Sequence, residues 1–79
     1  MKRIDFINCL KEALELESNV QVTENDDLKS FENFSSLSVL SIIAFIDENF
    51  SKTIKYSDFR NVNSIKELMI LIGTDKFED

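Results

Sequence analysis

Apolar residues recur every three or four positions in three stretches of the chain, and polar runs separate them. In residues 3–16, Phe6, Ile7, Leu10, Ala13 and Leu14 share one face at about 100° per residue. Lys11, Glu12 and Glu15 lie off that face, so the spacing predicts an amphipathic helix. Cys9 sits at its border and reads as a small, half-buried hydrophobe. Residues 17–35 have no helical or strand period. They are polar, with isolated apolar residues at Val20, Val22, Leu28, Phe31 and Phe34. A loop this long in so short a chain has to be tied down, and those five residues are the candidate anchors. Residues 36–50 predict a second helix. The connection after it suits one helical turn near residues 57–60, with Phe59 and Val62 inward. A last helix opens after Ser64, with Ile65, Leu68, Met69 and Ile72 on one face. Ser64 and Glu67 have the spacing of a capping box. Gly73 follows the last periodic residue, where a left-handed residue is favoured. Residues 74–79 read as a fraying tail.

The second helix has one apolar stripe more than a small bundle needs. Ile42, Ile43, Ile46 and Phe50 fall within about 60° of Val39 on the helix. Leu37, Leu40 and Ala44 form a second stripe, about 100–160° away, while Ser38 and Ser41 lie on other sides. Two explanations stand: the long loop covers the second stripe through Leu28, Phe31 or Phe34, or the stripe is a partner-binding surface. Paired serines open this helix. Ser35 is placed as its N-cap, and Ser36 is then the first helical residue, its side chain toward solvent. Free N–H groups at that end favour an attached phosphate, although two capping serines with no chemistry would give the same local sequence.

Length and composition narrow the fold. Seventy-nine residues make one domain, residues 1–79, with a small core and no internal repeats. There is no Pro and only one Gly, against a turn-rich all-β fold. The expected fold is all-α: a small four-helix bundle of three main helices and one short helix, with a long first loop. The net charge of −6 disfavours nucleic acid and anionic membranes, and attracts a basic protein partner. One cysteine excludes an intrachain disulfide and suits a reducing compartment. The N-terminal segment lacks the apolar run of a signal peptide, and no stretch has the length of a membrane span. A cytoplasmic location is expected. Histidine is absent, which removes the Ser–His and Cys–His pairs and the usual zinc sites. An enzyme is therefore not expected. The acids Glu24, Asp26 and Asp27 lack the spacing and glycine of a calcium loop, so no metal site is assigned.

The segment "FSSLSVLSIIAFIDENF" resembles the second-helix region of acyl carrier proteins, the family that carries phosphopantetheine. The family's Asp-Ser-Leu motif is matched by Ser35, Ser36 and Leu37. The aromatic residue before the motif is matched by Phe34, and the closing acidic pair with its Phe by "IDENF". Downstream, Ser64, Ile65, Glu67 and Leu68 stand where the family's last helix opens with Thr or Ser, an aliphatic residue and an acidic-Leu pair. The resemblance spans residues 3–73. It implies a four-helix bundle of acyl-carrier type. It also implies that Ser36 carries 4′-phosphopantetheine from coenzyme A, whose thiol holds an acyl group as a thioester. The implied partners are a phosphopantetheinyl transferase and acyl-loading and acyl-transfer enzymes, docking on Leu37, Leu40, Ala44, Asp47 and Glu48; a monomer is expected. Two departures stand out. The motif's Asp is Ser35, which still caps. The early acids of fatty acid synthase carriers are replaced by Ser38 and Ser41, which points to a specialised pathway such as secondary metabolite, lipid or surface-polysaccharide modification. Glu24, Asp26, Asp27 and Glu32 then share the electrostatic steering. The alternative is an unmodified helical interaction module that uses the same surface of the second helix.

Overall fold

In a computed structural model describing residues 1–78, the chain forms three α-helices joined by 3₁₀ turns, with no strand among the described residues. Helix α1 is Arg3–Ala13, α2 is Ser36–Phe50 and α3 is Ile65–Ile72. The short helical turn expected after α2 is a 3₁₀ helix over Tyr56–Asn61, with Phe59 and Val62 buried. The bundle of three main helices and one short helix is present, and no helix among the described residues is long and apolar enough to cross a membrane.

The core collects the predicted faces. Phe6, Leu10 and Leu14 come from the first helical segment, Val39, Ile42 and Ile46 from α2, and Ile65, Leu68, Met69 and Ile72 from α3. Phe45 was not assigned by periodicity, yet it packs against this core. With Phe6, Phe50 and Phe77 it forms an aromatic cluster, ring centroids 5.0–6.3 Å apart. Phe50 ends α2, so the cluster closes the end of the bundle away from Ser36, which begins that helix. At about 1.5 Å per residue the two ends are roughly 20 Å apart.

Helix α1 stops about three residues before the expected residue 16. Glu15 turns left-handed at φ 57°, Glu15 N–H donates to the Glu12 carbonyl and Leu16 N–H to the Lys11 carbonyl. This is a Schellman ending with Glu in the place usually held by glycine. The tail does not fray. Phe77 is 9% exposed, and the tail runs alongside the N-terminus. Arg3 N–H donates to the Glu78 carbonyl, and Glu78 N–H to the Met1 carbonyl, each at 2.9 Å. A buried ring and paired backbone outweigh the tail's polar composition.

The long loop is held mainly by backbone. Its chain crosses the start of α3: Ile65 N–H donates to the Asp26 carbonyl, Lys66 N–H to the Glu24 carbonyl, and Leu28 N–H to the Asn63 carbonyl. The first donors of α3, which a helix end leaves open, are thereby satisfied. Of the candidate anchors, Leu28 is fully buried and Val22, Phe31 and Phe34 pack on the core, whereas Val20 is exposed. At α3 the capping box is only half formed. Ser64 Oγ accepts from Glu67 N–H at 3.1 Å, but the Glu67 carboxylate accepts from Asn63 N–H at 2.8 Å, one residue too early. Gly73 ends the helix at φ 123°, ψ 114°. Its φ is positive, as glycine allows, but the pair lies outside the left-handed helical region.

Candidate functional site

The site is built by the first turn of α2 and the 3₁₀ helix beside it. Ser35 has extended backbone, with φ −153° and ψ 176°, and Ser36 is the first helical residue, as expected. Ser35 and Ser38 form a reciprocal box. Ser35 N–H donates to Ser38 Oγ at 2.8 Å, and Ser38 N–H donates to Ser35 Oγ at 3.4 Å, the weaker arm. Ser38 Oγ also donates to the Ser35 carbonyl at 2.8 Å. Ser38 is 5% exposed. It is therefore a buried part of the cap, and of the two serines standing in for early acids only Ser41 is exposed.

These bonds engage two of the three serine hydroxyls at the helix start, that of the buried Ser38 and that of the exposed Ser35. The third, on Ser36, is exposed and lies 3.0 Å from the hydroxyl of Tyr56, itself about half exposed. Tyr56 was not found from the sequence. It follows Ser36 by twenty positions in a segment with no long apolar period, and only the packing of the 3₁₀ helix brings it across. Its uniqueness as the chain's one tyrosine is a compositional signal without a position.

Beyond Tyr56 opens an apolar cleft of about 170 Å³. Phe34, Val39, Tyr56 and Phe59 line it, and Lys29 and Arg60 flank it. Lys29 Nζ donates to the Arg60 carbonyl at 3.2 Å, so the loop side of the cleft is fastened to the 3₁₀ helix.

The second stripe of α2 is open. Leu37 is 77% exposed and Leu40 53%, and Ala44, Asp47 and Glu48 are exposed further along the helix. The alternative in which the long loop covers this stripe is overturned: Leu28 turns into the core, and Phe31 and Phe34 pack against it. Apolar side chains of this size, exposed in sequence along one helix face, form a surface available to another protein.

The loop acids have local work. The Glu24 carboxylate pairs with Arg3 at 3.0 Å, the Asp26 carboxylate accepts from Thr23 N–H and the Asp27 carboxylate from Lys29 N–H. Among the described residues no group of three or more Cys, Asp or Glu side chains gathers as a metal site. Cys9 lies on α1, and its thiol is held above the usual cysteine range, first by partial burial and then by the nearby Glu12 and Asp5 carboxylates. That opposes thiolate formation. Comparisons with protein-family models, with characterised proteins and with solved structures return no match to this chain.

Proposed function

We propose that the protein is an acyl carrier, with Ser36 as the attachment point for 4′-phosphopantetheine. One observation carries the proposal: of the three serines at the start of α2, Ser38 is buried with its hydroxyl bonded into the cap, Ser35 Oγ accepts from the Ser38 N–H, and only the exposed Ser36 has a hydroxyl that no capping bond uses. The residues present fit such a group. The first turn of α2 contains no acid, so a phosphate on Ser36 meets no carboxylate there and lies beside the helix's free N–H donors. Ser36 is exposed to an incoming enzyme.

Attachment needs no base in this chain. Ser36 Oγ attacks the phosphorus of coenzyme A that bears the pantetheine, and an Oγ–P bond forms. The bond from that phosphorus to the bridging oxygen breaks, and adenosine 3′,5′-bisphosphate leaves with the electron pair. The hydroxyl proton passes to the phosphopantetheinyl transferase. When bound, the arm supplies the thiol that carries an acyl group as a thioester. The chain's own part is to hold Ser36 open and to present Leu37, Leu40 and Ala44, with Asp47 and Glu48 beyond them, to the transferase and to acyl-loading and acyl-transfer enzymes. Ser41, neutral and exposed, borders this stripe beside Leu37 and makes the docking surface less charged than an acidic one. That favours a narrow set of partners in a specialised pathway over primary fatty acid synthesis.

The test is intact mass after incubation with coenzyme A, Mg²⁺ and a broad-specificity transferase. The protein gains one phosphopantetheine, Ser35→Ala retains the gain and Ser36→Ala loses it. An adduct that survives Ser36→Ala would move the site. No adduct with several transferases would leave the exposed α2 surface as that of an unmodified interaction module.

A further inference from the structure

The partner of the Ser36 hydroxyl is held by a rigid turn. Tyr56 opens the 3₁₀ helix. That turn is fixed by Lys55 N–H donating to the Asp58 carboxylate and Asp58 N–H donating to the Lys55 carbonyl, each at 2.9 Å. Phe59, three residues on, is buried in the core. The phenol is therefore brought to Ser36 by packing and not by a loose loop, and its ring is at the same time a wall of the 170 Å³ cleft.

A serine at the first position of a helix has three staggered side-chain positions open to it. A hydroxyl 3.0 Å from Ser36 Oγ favours one of them. The pairing also has a consequence for the modified protein. Either oxygen donates while Ser36 is free. Once Oγ is esterified it has no proton, so the Tyr56 O–H is the remaining donor, and a phosphodiester oxygen is a strong acceptor within its reach.

Building on the carrier reading, we propose that Tyr56 is a positioning residue for the phosphopantetheine site. It holds the Ser36 hydroxyl in one orientation before transfer, and it donates a hydrogen bond to the phosphodiester afterwards.

Tyr56→Phe removes the hydroxyl and keeps the ring, at a half-exposed position where both residues fold; matched thermal melts check this. Transfer from coenzyme A is followed by intact mass over a range of carrier concentrations, and the finished product by ³¹P NMR. The expected result is a kcat roughly fivefold lower, the scale of one neutral hydrogen bond, at unchanged KM. The phosphodiester ³¹P resonance is displaced from its wild-type position. An unchanged kcat or an unmoved resonance overturns the assignment. So does a loss confined to KM, which would make Tyr56 a contact for the transferase. If the wild-type protein takes no adduct at all, the carrier reading fails and this proposal falls with it. A wild-type protein modified as readily as Tyr56→Phe, with the same spectrum, sinks the Tyr56 role alone.

Discussion

Replacing Phe77 by alanine removes the one ring of a polar segment, "TDKFED", where composition predicts almost no effect. The packing predicts a large one. Phe77 is 9% exposed, its ring centroid 5.0 Å from that of Phe6 and 5.3 Å from that of Phe50. Burial of a Phe side chain contributes about 1.5–3 kcal/mol, and a well-formed aromatic pair about 0.5–1.5 kcal/mol more. A core Phe→Ala change costs about 3–5 kcal/mol where the cavity cannot close. Phe77 lies at the rim of the core, the most exposed of its buried residues, so the lower figure, about 3 kcal/mol, is expected. For a domain of this size each kcal/mol lowers Tm by roughly 4–8 °C, so Tm falls by roughly 12–24 °C. Circular dichroism melts at 222 nm measure this, with Phe77→Leu as the control that keeps most of the apolar volume and most of the stability. A Tm within about 2 °C of wild type would show that the tail frays and that the aromatic cluster does not depend on it.

Two further outcomes follow from the cap and the thiol. Ser38→Ala, at a buried position, leaves the Ser35 N–H without its 2.8 Å acceptor and should cost about 1–2 kcal/mol in a urea titration. Ser41→Ala, on the exposed side, should stay within about 0.5 kcal/mol; equal midpoints for the two variants would remove the reciprocal box. Cys9, with its thiol held above the usual range by burial and by Glu12 and Asp5, has a smaller thiolate fraction than a free cysteine at any given pH. Its alkylation by iodoacetamide should therefore rise to half its maximum at a higher pH than that of a reference thiol, and a profile at or below the reference would contradict the environment described.

The three helices and their inward faces were legible because each faces one core with an unbroken 3.6-residue period. Phe6, Leu10, Ile42, Ile46, Leu68 and Ile72 all follow it. What the period could not show are the places where backbone meets backbone. The loop carbonyls of Glu24 and Asp26 cap α3, and any residue can offer a carbonyl, so no side chain marks the event. The same holds for the tail, pinned by Met1, Arg3 and Glu78 main-chain groups. A lone Phe in "TDKFED" was the only visible sign. At the site, the cap and the outward serine were legible from residue type and position, since Ser is a strong N-cap. Ser38 was read as standing in for a docking acid, yet its helical angle lies about 40° from that of Ile42, at the edge of the buried stripe, and its short hydroxyl folds back on the cap. Tyr56 was invisible because the contact joins two elements twenty residues apart.

On the carrier reading, Ser35 stands where the acyl-carrier motif has aspartate, and the exchange changes the electrostatics of the helix start more than its geometry. A carboxylate there would cap α2 alone and place a negative charge one residue from the attacking oxygen. Two hydroxyls do the capping here, each accepting from the other's N–H. The Ser38 hydroxyl spends its own proton on the Ser35 carbonyl. The cap is thus complete and neutral, and no acid occupies the first turn of α2. On a chain of net charge −6, that leaves the start of α2 as a local relief from the surrounding negative field. An approaching pyrophosphate is itself anionic, and the free N–H groups of the first turn are then opposed by no carboxylate from the cap. Ser35→Asp isolates this term. On the carrier reading it preserves the cap and the adduct, and it makes transfer more sensitive to salt, because a charge that salt can screen has been added beside the reacting centre. A transfer rate with the same salt dependence in both proteins would mean that the neutral cap has no electrostatic consequence for Ser36.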